Sequence, residues 1–307
     1  MQFIKNKVTF GRHESFALRF GWLTKSFQAL EKDPDIFKSD EATIVFGVGK
    51  NMVNSIKHWL RATQLCSWHK TDGIQKTKLG EVVFGENGLD PYLEDEATIW
   101  FIHWLLVTNP TISTSWYWFF NKFHKPEFTS IEVASAISDF ANDSIEVKYS
   151  KSSIKQDIAV LLRCYMQTKD NSRMPAEEAL DSPLSLLKLI SYSSVGKVYQ
   201  SKLGLQENLP LGIFGYALND FFTKQGITEV PIDELMYSTE NTVTIGSAFR
   251  LTENALLTKL EQLVNYIPEI FKIDETAGIH QLYKLQEIDS INYLEKHYNN
   301  LQQDQVA

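Results

Sequence analysis

The sequence predicts a mainly α-helical protein with a winged helix-turn-helix module at its N-terminus. Three observations carry that reading. Residues 50–61 have helical periodicity: Met52, Val53, Ile56, Trp59 and Leu60 recur as one apolar stripe, while Lys50, Asn54, Lys57, His58 and Arg61 fall at i, i+4, i+7, i+8 and i+11 on the opposite face. A hairpin signal follows at once, with Asp72-Gly73 as the turn between two short strand-like runs. Further on, Trp100, Phe101, Trp104 and Leu105, and then Trp116-Tyr117-Trp118-Phe119-Phe120, are apolar on nearly all sides, as buried core helices are.

A basic helix followed by a basic hairpin is the order of a winged helix-turn-helix, in which the helix enters the DNA major groove and the hairpin lies along the backbone. Residues 47–80 hold six Lys or Arg against one Asp, an excess of five in a chain of net charge −8. The contacting face, rather than the total, sets attraction to phosphates. The candidate contacts to double-stranded DNA are Lys50, Asn51, Asn54, Lys57, His58 and Arg61 on the helix, and Lys70, Lys76 and Lys78 around the hairpin. The alternative at this point is a solvated helix face that happens to be basic.

Taken in order, Phe10 to Phe16 form a compact polar knot. A helix is expected from near Glu14 through Trp22, Phe27 and Leu30, stopping before Asp33-Pro34. Residues 40–46 read as a second short helix or turn, which completes a winged-helix module over residues 1–80. Residues 81–174 are expected to form a helical, aromatic-rich core. It opens with six acids and no Lys or Arg over 81–100, where Asp90-Pro91 reads as an N-cap with proline at the first helical position. A capped helix is expected over 128–140 and a second basic one over 150–163; residues 148–173 hold six cations and two acids. Residues 174–182, next to Pro183, read as a linker. Residues 183–307 repeat a winged-helix-like order, with helices at 211–225, 231–236 and 252–266 and a hairpin at 271–283. Twelve acids against five bases over 231–307 suit this module to protein contacts rather than phosphate. The polar tail after Asn299 is expected to fray.

Composition removes several function classes. With 307 residues and 43% hydrophobic content the chain can build two or three domains. No apolar run approaches the roughly 18 residues of a membrane span, and the start lacks the pattern of a secretory signal. Two cysteines, Cys66 and Cys164, make no disulfide framework, which fits a reducing cytoplasm. Gly49-Lys50 is followed by Asn51 instead of Ser or Thr, so a phosphate-binding P-loop is excluded. Cys66 and His69 lack the second pair a zinc site needs. Two residue sets could serve phosphodiester hydrolysis. Asp90, Glu94 and Asp95 could share a Mg²⁺ or Mn²⁺ ion if a helix stacks them, or could simply cap that helix. Arg12-His13-Glu14 offers an imidazole to move a proton, a cation for phosphorane charge and a carboxylate to orient either. The alternative for this set is a structural knot at a helix start.

Several of these stretches taken together resemble a known family. They are Phe10-Gly11-Arg12-His13-Glu14, Gly47-Val48-Gly49-Lys50-Asn51-Met52-Val53, Phe84-Gly85 with Gly88-Leu89-Asp90-Pro91-Tyr92-Leu93-Glu94-Asp95, Trp116-Tyr117-Trp118, and Asp274-Glu275-Thr276-Ala277-Gly278. The combination is similar to the bacterial family catalogued as domain of unknown function 4007, over nearly the whole chain. The resemblance implies a place in gene sets that exchange a phosphate oxygen of DNA for sulfur, near the DNA-nicking B component of Ssp-type phosphorothioation systems. It also implies partner proteins from such a system. No catalytic role is carried over from the family to any of these residues. Two expectations follow: a DNA nickase that cuts one strand for sulfur incorporation, or a non-catalytic winged-helix adaptor or regulator that positions partner enzymes. A homodimer is compatible with both.

Overall fold

The computed structural model describes residues 3–167, 182–237, 242–276 and 279–306. Most of the expected linker and Ala277-Gly278 lie outside them. The chain forms two compact units: Ile4–Trp118 with the described part of Lys125–Ser201, and Phe3 with Phe119–His124 and the described residues from Lys202 on.

In the first unit, α1 (Phe20–Lys32) buries Trp22, Leu23, Phe27 and Leu30 and stops before Asp33-Pro34. It starts six residues later than the periodicity suggests. Glu14 and Ser15 take left-handed backbone, φ 49° and 68°, so the chain doubles back there and no helix can begin. After α2 (Ala42–Phe46), α3 (Lys50–Ala62) carries the expected stripe. Its C-terminal carbonyls at Arg61 and Ala62 accept from Asn109 Nδ2 at 3.2 and 3.0 Å. Strands β1 (Cys66–His69) and β2 (Gly73–Lys76) pair antiparallel, from Cys66 opposite Lys76 to His69 opposite Gly73. Gly73 sits at φ 79°, a conformation that suits glycine. The hairpin ends sooner than expected: Thr77 Oγ1 accepts from Gly80 N and caps α4 (Lys78–Phe84), so Lys78 stands on a helix rather than on the hairpin.

Every residue from Ala97 to Val107 in α5 (Glu96–Val107) is buried. Its N-cap is Asp95, not Asp90, because residues 90–95 form a non-helical turn. α6 (Thr114–Lys122) follows, then β3 (Glu127–Phe128) and α7 (Ser130–Ser144), which starts on a Thr129/Glu132 capping box. α8 (Lys151–Tyr165) is capped by Ser150. β4 (Ser191–Ser193) and β5 (Val198–Gln200) form with β3 a small antiparallel sheet in the order β3-β5-β4.

One buried carboxylate ties this unit together. Asp157 on α8 accepts from Gly11 N at 2.7 Å and from His13 Nε2 at 2.9 Å through Oδ1, and from Ser115 Oγ at 2.6 Å through Oδ2. His13 then packs among His58, Trp59 and Trp116, with ring centroids 5.9, 6.4 and 6.0 Å away. Trp59 Nε1 donates to Phe16 O at 3.2 Å, so loop 10–16 is held by α3, α6 and α8.

The second unit contains α9 (Leu211–Gln225), α10 (Ile245–Phe249), α11 (Glu253–Tyr266) and α12 (Ile291–Val306). A sheet of β6 (Glu229–Pro231), β8 (Ile279–Lys284) and β7 (Phe271–Thr276) joins them in the antiparallel order β6-β8-β7. Buried Arg250 donates to the carbonyls of Phe119 and Phe123 at 3.0 and 3.1 Å, which binds residues 119–124 into the unit. The C-terminal stretch does not fray at Asn299: α12 runs past it and buries Tyr293, Leu294 and Tyr298. Close approach makes this possible, because a side chain at Gly215 would collide with the Tyr293 ring and Leu263. Among the described residues no helix is long and apolar enough to cross a membrane.

Two expected outcomes follow from this packing. Gly215→Ala gains about 1 kcal/mol of helix propensity but overpacks the α9–α12 seam at a cost of about 1–3 kcal/mol, so the urea midpoint is expected to fall. Burial holds the His58 pKa down to about 3 from 6.5, and His13, Arg61 and Arg12 push the same way. The unfolded chain therefore takes up that proton first, so the stability contribution is whole above about pH 6.5 and is lost as pH falls toward 3. Chemical denaturation is expected to show a loss of about 2 kcal/mol from this group between pH 7 and pH 5, absent in His58→Phe.

Candidate nucleic-acid interface

The outer face of α3 is built by the same periodicity that buries its other side. Lys50, Asn51 and Asn54 are exposed. Lys57 and Arg61, one turn apart, are half-buried against the Trp68 ring on β1, with the ammonium 4.9 Å and the guanidinium 5.9 Å from its centroid. The fold adds Arg12, exposed on loop 10–16. Burial lowers the pKa of Arg61 and the Arg12 charge lowers it further; Lys57 is lowered by burial and then by Arg61. Lys70 is exposed in the hairpin turn. Arg12, Lys50, Lys57, Arg61 and Lys70 make no ion pair with any described carboxylate. Like charges held together without a counter-charge repel one another, and a polyanion relieves that repulsion.

Two candidates leave this face. His58 is buried against His13 and Trp59, its Nε2 without a hydrogen-bond partner, and its depressed pKa keeps it uncharged at neutral pH. Lys76 lies 2.6 Å from Glu81 and 3.5 Å from Glu31, above the Phe27 ring. Burial lowers its pKa, but the two carboxylates outweigh that and the net shift is upward, so its charge is already matched. Beside Arg12 a cavity of about 350 Å³ is lined by Thr9, Gly11, Lys148, Ser150 and Ser153, which brings Lys148 and the start of α8 to the edge of the cationic face.

The catalytic candidates are placed differently. His13 is buried with both ring nitrogens occupied: Nε2 bonds Asp157, and Nδ1 accepts from Ser15 N at 3.2 Å, which puts the proton on Nε2. Arg12 and Glu14 on either side are exposed, so the three side chains do not converge. Asp90 is buried as well. Its Oδ1 accepts from Glu94 N at 2.8 Å, and its Oδ2 accepts from Asp95 N at 3.1 Å and Thr98 Oγ1 at 2.5 Å. Asp95 Oδ1 accepts from Ala97 N at 2.7 Å. Asp90 and Glu94 are therefore not stacked on a helix, and Glu94 is exposed while Asp90 is buried. Among the described residues no three His, Cys, Asp or Glu side chains gather into a metal-holding group. The donor set Asp90, Glu94 and Asp95 does not fit Mg²⁺ or Mn²⁺ in this arrangement.

The chain is similar to two solved structures, described as "SspB crystal structure" and "Magnesium ion-bound SspB crystal structure". Each has a TM-score of 0.83 and 27% identity, covering 95% of this chain and 88% of the other. That likeness agrees with the Ssp-type resemblance of the sequence motifs. No curated protein matches. The family described as "Protein of unknown function (DUF4007)" matches residues 10–298, which take in the Asp157-anchored loop, the cationic face and most of the second unit, and the chain belongs to that family.

Proposed function

We propose that this protein is the DNA-binding component of a bacterial DNA phosphorothioate modification and defence system. One observation carries the reading: among the described residues five cations, Arg12, Lys50, Lys57, Arg61 and Lys70, stand without carboxylate partners on or near one helix and hairpin, in a chain of net charge −8. In a winged-helix mode α3 lies in the major groove of double-stranded DNA and the hairpin follows the backbone. Likeness to the SspB structures supports the pathway. The acidic region from residue 231 onward suits contacts with other proteins of the system, or with a second copy of the chain. Such work on chromosomal DNA belongs in the cytoplasm.

Within that role the Ssp resemblance supports nicking of one strand: water oxygen bonds to phosphorus, one P–O ester bond breaks, and the leaving sugar oxygen takes up a proton to end as a hydroxyl. The solvent-facing Arg12 and Glu14 are the residues of the motif free to meet a phosphate; His13 and Asp90 serve as scaffold. A second reading, a non-catalytic adaptor that positions partner enzymes, is favoured by that same use of His13 and Asp90, whose acid–base and metal-binding atoms are taken up by internal hydrogen bonds.

Replacing Lys50, Lys57 and Arg61 together by Ala is expected to weaken duplex binding to every sequence alike and to flatten the salt dependence by about three charges. Fluorescence anisotropy across a salt series measures both, and an unchanged slope in folded protein would refute this surface. For nicking, supercoiled plasmid is incubated with the wild type in Mg²⁺, in Mn²⁺ and in EDTA. Relaxation that slows by about a hundredfold in Arg12→Ala or Glu14→Gln supports the nickase. Plasmid left supercoiled under both metals removes the nickase reading and leaves the adaptor.

A further inference from the structure

Trp68 is unlike the other six tryptophans. Trp22, Trp59, Trp100, Trp104, Trp116 and Trp118 are at most 6% exposed, whereas Trp68 on β1 is 48% exposed. A lone indole left in water needs no explanation by itself. The surroundings of this one supply it. Lys57 and Arg61 lie against the ring, and their chemistry is cationic with no described acid in attendance. The ring is thereby held at the junction of α3 and the hairpin, and the Arg12 charge acts on Arg61 beside it.

A half-exposed aromatic ring held against two cations that have no described carboxylate partner matches a ligand that carries both a π-face and flanking negative charge. A fully paired duplex supplies phosphates, but its base faces are stacked inside. An unpaired base supplies both at once. We propose that Trp68 stacks on an unpaired base at the edge of a duplex while Lys57 and Arg61 hold the adjoining phosphates. The protein then favours DNA with an extrahelical base over fully paired DNA. This rests on the DNA-binding reading above and adds the substrate class to it.

The test uses the full chain and short labelled duplexes of one sequence, either fully paired or carrying one extra unpaired thymine. The wild type is expected to bind the bulged duplex about tenfold more tightly, and its tryptophan emission, in which Trp68 is the accessible contributor, is expected to be quenched by the bulged duplex but not by the paired one. Trp68→Phe keeps a stacking ring and is expected to keep the preference. Trp68→Leu keeps apolar packing for Lys57 and Arg61 and is expected to abolish the preference, with far-ultraviolet circular dichroism checking the fold. Equal wild-type affinity for the two duplexes overturns the proposal, as does a Leu variant that retains the preference or weakens both duplexes equally; paired-duplex binding then still stands. If the wild type binds neither duplex, the DNA-binding reading falls with it.

Discussion

The first unit depends on a carboxylate that has to be satisfied out of water. A buried Asp is costly unless donors surround it, and Asp157 finds three from different parts of the chain: Gly11 N, His13 Nε2 and Ser115 Oγ. Those bonds clamp loop 10–16 onto α6 and α8, and the stacking of His13 on Trp59 extends the clamp to α3. Gly11, Glu14 and Ser15 all hold positive φ within five residues, a conformation that persists only when its surroundings over-determine it. One result is functional. With His13 turned in, Arg12 is turned out, and its charge falls beside Arg61.

Charge on this protein is a matter of placement more than amount. Lys76 and Arg61 are near neighbours in sequence terms, at the end of the hairpin and the end of α3, yet they differ in what faces them. Lys76 sits between Glu81 and Glu31 and presents little net field. Arg61 faces Lys57 and Arg12 and has its charged form disfavoured. Only the second arrangement stores repulsion that a phosphate backbone can release. For the DNA ligand proposed above, the basic face therefore outweighs the acidic total.

His13 and Asp90 show how the side chains best suited to acid–base or metal chemistry can serve as internal fasteners. His13 closes a loop, and Asp90 closes the turn before α5 by accepting from two backbone amides and a threonine hydroxyl. In both cases the satisfied hydrogen bonds use the atoms that chemistry would require. In the function proposed above, the exposed neighbours Arg12, Glu14 and the α3–hairpin face carry the contacts.

The sequence by itself determined the elements whose signals are local. The stripe on α3, the Asp72-Gly73 hairpin, α9, α11 and the buried aromatic helices were legible because periodicity and turn chemistry act within one element. Tertiary structure alone decided the rest. His58 has a surface period, yet His13 of loop 10–16 packs on it from outside the helix, beside Trp59 of α3 itself. The strands at 127–128, 191–193 and 198–200 are too short to show alternation; the last two pair as a local hairpin, and the first exists by pairing with 198–200 across some seventy residues of chain. α12 looks like a polar tail until Gly212 and Gly215 on α9 let it dock. Arg12 joins Arg61 because distant segments meet there, and no window of sequence contains both sides of such a meeting; Trp68 stays half-exposed against Lys57 and Arg61 because the hairpin folds back on α3.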